Sequence, residues 1–253
     1  MLITPTPNNP GVVPAQGADV IHASVHTASE YETVVQQLYV SYFGRPADPD
    51  GLQYFESLFA SAQAPTTIAG LTAGYKSNAI VKSIVDTFGV SAESQALYGA
   101  GGTLSFVTHI YQSVLGRQPD LGGLVYWSDL IETGSITKAA AALTIASAAA
   151  NNLVSDDSRI FGNKIDAAKL FTTDIDTKNE LAAYSGLAAN EIARTMLSTI
   201  TLTPATPATV TNALNSVVDL KFPPVVVPDP TPTMPSDTGP WIPPPPGDPF
   251  WGP

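Results

Sequence analysis

Cysteine is absent from the 253-residue chain, which excludes disulfides, thiolate catalysis and Cys-ligated metals. Basic residues are scarce: 11 Lys and Arg stand against 22 Asp and Glu, giving a net charge of −11 and a pI near 4.4. A phosphate backbone is bound by clustered Lys and Arg. The basic residues here are scattered, so neither nucleic acid nor an anionic membrane surface is an expected partner. Charged residues make up 13% of the chain and aromatics 8%, and the charged share is well below the roughly 25% of an average globular domain. The apolar fraction of 44% leans on Ala and Val, which favours close-packed helices with small contact residues. Ser, Thr, Asn and Gln supply the polarity, a balance common in secreted bacterial surface proteins. Long apolar runs are missing too. The longest, residues 139–150, falls short of the about 20 needed to span a bilayer, so no transmembrane segment is expected. The opening residues MLITPTPNNPGVVPAQGADV lack the basic and apolar regions of a cleavable signal peptide. Any export is therefore expected to follow a route without an N-terminal signal.

What the chain does contain is one stretch used twice. Residues 38–55 read LYVSYFGRPADPDGLQYF, and residues 110–127 read IYQSVLGRQPDLGGLVYW. At an offset of 72 residues they share Tyr39/Tyr111, Gly44/Gly116, Arg45/Arg117, Asp48/Asp120, Gly51/Gly123, Leu52/Leu124 and Tyr54/Tyr126, and they close on Phe55 and Trp127.

Apolar periodicity makes both copies helical. Ser29, with Glu32 completing a capping box, starts a helix over residues 29–43, whose stripe is Val34, Val35, Leu38, Tyr39, Tyr42 and Phe43. Gly44 ends it. Asp48 and Pro49 are a cap and a first helical residue for the next, which carries Leu52, Phe55, Leu58 and Phe59. Further helices are predicted over residues 67–78 and 79–88, the latter stopped at Gly89, and residues 91–103 read as a turn-rich bridge. The glycines of that bridge follow no strand and precede no Lys-Ser/Thr, so they do not make a phosphate loop. In the second copy Phe106, Val107, Ile110, Tyr111, Val114 and Leu115 form the stripe and Gly116 stops it. Asp120 caps a helix with Leu124, Trp127, Leu130 and Ile131, and Thr137 caps an alanine-rich one. Helices over about 160–172, 177–183, 190–200 and 209–220 are expected to cap this core. The expected fold is all-α: a helical domain at 28–221, with repeat units at about 29–88 and 103–152 and a helical cap at 156–220. A flexible arm at 1–27 precedes it, and a proline-dense tail at 222–253, extended or disordered, follows.

Enzyme signatures are missing. There is no Gly-x-Ser-x-Gly elbow and no His-Glu-x-x-His. His109 has no Ser or Asp partner suggested by the sequence, and Asp156-Asp157 reads as a solvated helix start rather than an acid/base couple. No catalytic residue, and no enzyme activity, is expected. His22 and His26 stand four apart and would need Asp19 or Glu30 as a third metal ligand. No other metal signature accompanies them, so no metal site is assigned there. At the two corners, Arg45 with Asp48 and Arg117 with Asp120 read in either of two ways. Each could present an Arg–carboxylate pair to a sugar, or the Arg could cover one helix's carbonyl end while the Asp caps the next. Asp48 with Asp50 also suggests weak calcium binding, the only cofactor expectation. The EF-hand pattern, however, fails at Leu52, and the second copy has Gly122 where the first has Asp50. Tyr54, Phe55, Tyr126 and Trp127 suit a sugar platform, though their spacing beside Leu52 and Leu124 favours core. In the tail, Trp241, Phe250 and Trp251 would anchor a docking peptide, fold back on the helices, or merely punctuate a spacer.

The doubled pattern Leu/Ile-Tyr…Leu/Phe-Gly-Arg-x-x-Asp…Gly-Leu-x-Tyr-Trp/Phe resembles the bacterial domain-of-unknown-function family 4214. The resemblance runs from about residue 91 to 152 in the second copy and from about 34 to 59 in the first. It implies an all-helical unit similar to phycobilisome linker domains. It also implies a setting in secreted or surface-layer-like bacterial proteins, some exported without an N-terminal signal. The family brings no catalytic residues. This chain lacks the Gly-Gly-x-Gly-x-Asp calcium repeats of larger members. The expectation is thus a non-enzymatic secreted or cell-surface module that binds a protein partner or a surface polysaccharide. The alternative is a cytoplasmic scaffold or assembly linker that docks through its proline-rich tail.

Overall fold

The structure is a computed structural model, and it describes residues 25–98, 101–152 and 154–223. Most of the expected arm, including His22, and nearly all of the tail, including Trp241, Phe250 and Trp251, lie outside the described residues.

The described residues are all-helical. A 3-10 turn, Ala28–Tyr31, leads into α1 (Glu32–Phe43), α2 (Pro49–Ser61), α3 (Ile68–Ser77), α4 (Ala79–Val90), α5 (Ala92–Tyr98) and α6 (Gly102–Leu115). These are followed by α7 (Leu121–Glu132), α8 (Lys138–Asn151), α9 (Asp156–Asp174), α10 (Lys178–Ala183), α11 (Leu187–Ser198) and α12 (Pro207–Lys221). Short polar side chains start most of them by taking a backbone N–H the helix cannot satisfy. Asp48 accepts from Gly51, Thr67 from Gly70, Asp120 from Gly123, Thr137 from Ala140 and Ser155 from Ser158. Gly44 (φ 65°) and Gly116 (φ 68°) close α1 and α6 in the left-handed region, which a residue without Cβ adopts freely.

Helix α1 is the centre of the molecule. Nine of its twelve residues are buried, so it is enclosed on all sides rather than along the single stripe expected. It packs against α2, α4, α5, α6, α8 and α9. Its polar residues are accordingly satisfied within the protein. Gln36 donates to Thr172 Oγ1 at 2.8 Å and accepts the Ala47 N–H at 3.1 Å, and the Ser41 hydroxyl donates to the Gln37 carbonyl. The alanine-rich α8 lies against α1, α3, α4, α6 and α9, and its small side chains allow those approaches. The last helices close over α1 and α6 through α9 and α11, while α12 packs on α9, α10 and α11.

Four local expectations change. The first cap is Thr27 with Glu30 rather than Ser29 with Glu32: the Glu30 carboxylate accepts the Thr27 N–H at 2.9 Å, and a 3-10 turn precedes α1. Gly89 does not stop α4, which continues to Val90. A Cβ there would lie 3.2 Å from that of Ala139, so this glycine serves a close helix–helix contact. Residues 92–98, expected as part of a bridge, form α5, capped by the Ser91 hydroxyl accepting the Ser94 N–H at 3.1 Å. Finally, α9 starts four residues earlier than expected, at Asp156, because Ser155 caps it. No helix among the described residues is long and apolar enough to cross a membrane.

Candidate functional site

At each corner the chain leaves a helix at glycine, turns through arginine, and enters the next helix at aspartate. Both corners need the following glycine small. A Cβ on Gly51 would lie 2.2 Å from the Tyr39 hydroxyl, and one on Gly123 would lie 2.7 Å from that of Tyr111. In both, the guanidinium lies over that same tyrosine ring, at 5.2 Å for Arg45 and 5.6 Å for Arg117.

The first corner is sealed. Arg45 is 7% exposed, and its fork holds Glu93 of α5 with Nε–Oε1 at 2.8 Å and Nη2–Oε2 at 2.7 Å. Its Nη1 donates to the Pro46 carbonyl at 2.9 Å and stands 3.6 Å from Asp48. Burial is the largest single influence and opposes its charge, but the hydrogen bonds and charges of Glu93 and Tyr184 together outweigh it and hold the proton more tightly than in a free arginine. Glu93 is shared: Arg194 of α11 donates to it at 3.0 Å, with Asn190 at 3.3 Å. The buried Tyr184 hydroxyl donates to the Pro46 carbonyl, and burial pushes it up to about 12. Phe88 of α4 fills the aromatic space, with its ring centroid 4.2 Å from that of Phe55 and 5.5–5.7 Å from those of Tyr39, Tyr42 and Phe43. Nothing of this arginine is left to present to a sugar.

The second corner is open. The Arg117 side chain is 47% exposed and grips Asp157, in the first turn of α9, with Nε–Oδ1 at 2.9 Å and Nη2–Oδ2 at 2.8 Å. Asp120 is occupied in capping α7, with its Oδ1 2.6 Å from the Gly123 N–H. The Trp127 indole N–H donates to the Tyr111 hydroxyl at 3.2 Å. Among the described residues the only ring paired with Trp127 is that of Tyr126. Tyr111, Leu115 and Trp127, which stand at the positions of Tyr39, Phe43 and Phe55 in the sequence, border a hollow of about 240 Å³ together with Arg117, Asp157, Asn152 and Ser155.

Two tyrosines expected in the core are outside it. Tyr54 is 60% and Tyr126 58% exposed. The inward stripe of α2 is Leu52, Phe55 and Phe59, spaced three and four apart, and Tyr54 lies off it, edge-on to Phe55. Leu124 and Trp127 do the same in α7. The outer face of α7 also exposes Leu121 and Val125. Asp50 is exposed at the N-terminus of α2, and the Asp48 carboxylate that calcium would need caps Gly51. His26 pairs with Glu30 at 2.9 Å. Among the described residues no group of three His, Asp or Glu is arranged to hold a metal ion.

A larger cleft, of about 470 Å³, opens where the C-termini of α1 and α6 meet α9 and α11. Its lining includes Gly44, His109, Ser113, Lys164 and Arg194, with Arg117 at the edge it shares with the smaller hollow. The His109 Nε2 is buried without a hydrogen-bond partner among the described residues. Burial, helped by the charges of Arg194 and Lys164, holds this imidazole in its neutral form below the usual range. Glu93 and Lys164 had not stood out in the sequence. Glu93 lay in a stretch whose Ser91 cap and run of helix formers was the available signal, and nothing local marked Lys164.

The segment from within α4 to just past α8 contains the turn from Gly116 to Asp120, while the turn from Gly44 to Asp48 lies outside it. No curated protein and no solved structure matches the chain. Over residues 85–153, the chain matches the family described as Domain of unknown function (DUF4214).

Proposed function

We propose that this chain is a non-catalytic helical binding module acting at the cell surface or outside the cell, with a surface polysaccharide as its ligand and the second corner as its working face. The open hollow at Trp127 carries the reading. An aromatic wall offers the apolar C–H face of a sugar ring a surface to lie on, and a neighbouring guanidinium–carboxylate pair offers its hydroxyls donors and acceptors. Trp127 and Tyr111 supply the first, and Arg117 and Asp157 the second. The exposed Tyr126 extends the wall toward solvent.

Titration of the purified chain against bacterial capsular and lipopolysaccharide glycans on an array tests this. Binding should fall on Trp127→Ala and persist in Tyr54→Ala, since Tyr54 sits beside a filled corner. Retention of glycan binding by a folded Trp127→Ala variant would move the site elsewhere. Detection on washed cells or in culture medium tests the setting, and a purely cytoplasmic chain would favour an assembly scaffold instead.

A further inference from the structure

Among the described residues, Lys164 is a buried cation without a carboxylate partner. The residue is 1% exposed. Its ammonium donates to the Gln112 and Ser113 carbonyls, both at 2.8 Å, and it forms no ion pair with any described residue. Yet the sequence carries 22 acidic side chains against 11 basic ones. A buried cation is normally paired. Covering the carbonyl end of α6 accounts for two of its three N–H groups and for its position, but not for the missing carboxylate. Arg194 is the internal control. It reaches the carbonyl end of α1 in the same way, through Phe43 O at 3.4 Å, and has both Glu93 and Glu191 at 3.0 Å.

The surroundings of Lys164 are as unfilled as its charge. The Ser113 hydroxyl makes no hydrogen bond to a described residue, Arg194 Nη2 makes none, and His109 Nε2 is buried without one. All four residues line the same cleft, and Arg117, already neutralised by Asp157, stands at its edge. Cations outnumber carboxylates in the lining, with Lys164, Arg194 and Arg117 against Glu191 alone.

We propose that this cleft binds a small ligand through an oxyanion, a carboxylate or a phosphate ester. The oxyanion sits between the Lys164 ammonium and the Ser113 hydroxyl, with Arg194 Nη2 as the third donor. The ligand's negative charge supplies the counter-ion that Lys164 lacks, and such charge-assisted bonds are the stronger class. The site is separate from the glycan hollow, with which it shares only Arg117.

Inorganic phosphate and glucuronate are the probes, each titrated into the full chain by calorimetry against sodium chloride at matched ionic strength, which removes simple screening. A saturable heat with either probe, weakened about tenfold or more by Lys164→Met and severalfold by Ser113→Ala, is the expected result. The probe that binds more tightly identifies a phosphate ester or a carboxylate as the natural group. Binding unchanged in Lys164→Met, or heats no different from chloride for both probes, would overturn the proposal. If Lys164→Met does not fold, Ser113→Ala decides alone: undiminished binding in that variant overturns the proposal equally. Trp127→Ala should leave phosphate binding unchanged whether or not it abolishes glycan binding, so the two sites stand or fall separately.

Discussion

The first and second corners place glycine, arginine, aspartate and tyrosine at matching positions and differ in what surrounds them. In one, the Arg45 side chain is 9% exposed, shares Glu93 with Arg194 and lies beneath a plug of rings around Phe88. In the other, the Arg117 side chain is 47% exposed, holds Asp157 alone and borders an open hollow. The local chemistry of the motif is the same in both: helix stop, turn, helix start. Its energetic weight and its availability to a ligand are set by neighbours supplied from α4, α5 and α11 in one case and from the N-terminus of α9 in the other. A motif met twice can therefore be sealed once and left open once.

Phe88→Ala tests the comparison most severely. Removing a ring that is 1% exposed and touches four other rings should cost about 3–5 kcal/mol of unfolding free energy, read by urea denaturation. A loss below about 1 kcal/mol would mean that the first corner is not held by its plug. Trp127→Ala, at the half-open equivalent, should cost clearly less.

The two arginines follow. Arg45→Ala leaves Glu93 and the Pro46 carbonyl buried with fewer partners and should cost about 3 kcal/mol. Arg117→Ala breaks a largely exposed pair and should cost at most about 1 kcal/mol. Equal losses would erase the distinction between sealed and open. The same pair bears on function. Loss of glycan binding in Arg117→Ala at nearly unchanged melting temperature sharpens the contrast, whereas a matching effect from Arg45→Ala without destabilisation would contradict it.

The glycines after each aspartate give a smaller, graded difference. Gly51→Ala brings a Cβ to within 2.2 Å of the Tyr39 hydroxyl, and Gly123→Ala to within 2.7 Å of the Tyr111 hydroxyl. Overpacking of this kind costs about 1–3 kcal/mol. The Gly51 variant should lie at the upper end, because Tyr39 is boxed in by Phe43, Phe55 and Phe88. Thermal melts of both variants check the order, and a reversed order would show Tyr111 to be the more confined ring.

How much of this was legible in the sequence follows from the range of the interactions. Helix stops at Gly44 and Gly116 and caps at Asp48, Asp120 and Thr137 are settled within four residues, and each was readable. What makes the corners differ is not local. Arg45 meets Glu93 at a separation of 48 residues, Arg117 meets Asp157 at 40, and Lys164 meets Gln112 at 52. Tyr54 and Tyr126 were misplaced for a related reason: helical spacing marks an apolar neighbourhood, but only the packed partner shows which member of an adjacent aromatic pair turns inward. Gly89 looked like a helix stop because the small partner it meets, Ala139, belongs to α8, fifty residues away.

The carbonyl ends of α1 and α6 are covered by different cations. The first is the guanidinium of Arg194, the second the ammonium of Lys164. Burial pulls Lys164 from 10.5 down to about 8, so the second end begins to lose its cation there. The sign follows from proton counting: between about 8 and 10.5 the unfolded chain holds the Lys164 proton more tightly than the folded one, so stability rises with pH across that window. The slope from one proton is at most about 1.4 kcal/mol per pH unit. Above about 10 the sign reverses, because burial raises Tyr42, Tyr98 and Tyr184 and their ionisation then favours the unfolded chain. Unfolding free energy should therefore rise by about 1 kcal/mol or more from pH 8 to a maximum near pH 10 and fall beyond it. Lys164→Met should remove the rise and keep the fall. If the rise survives in that variant, the Lys164 ammonium is not the group that titrates.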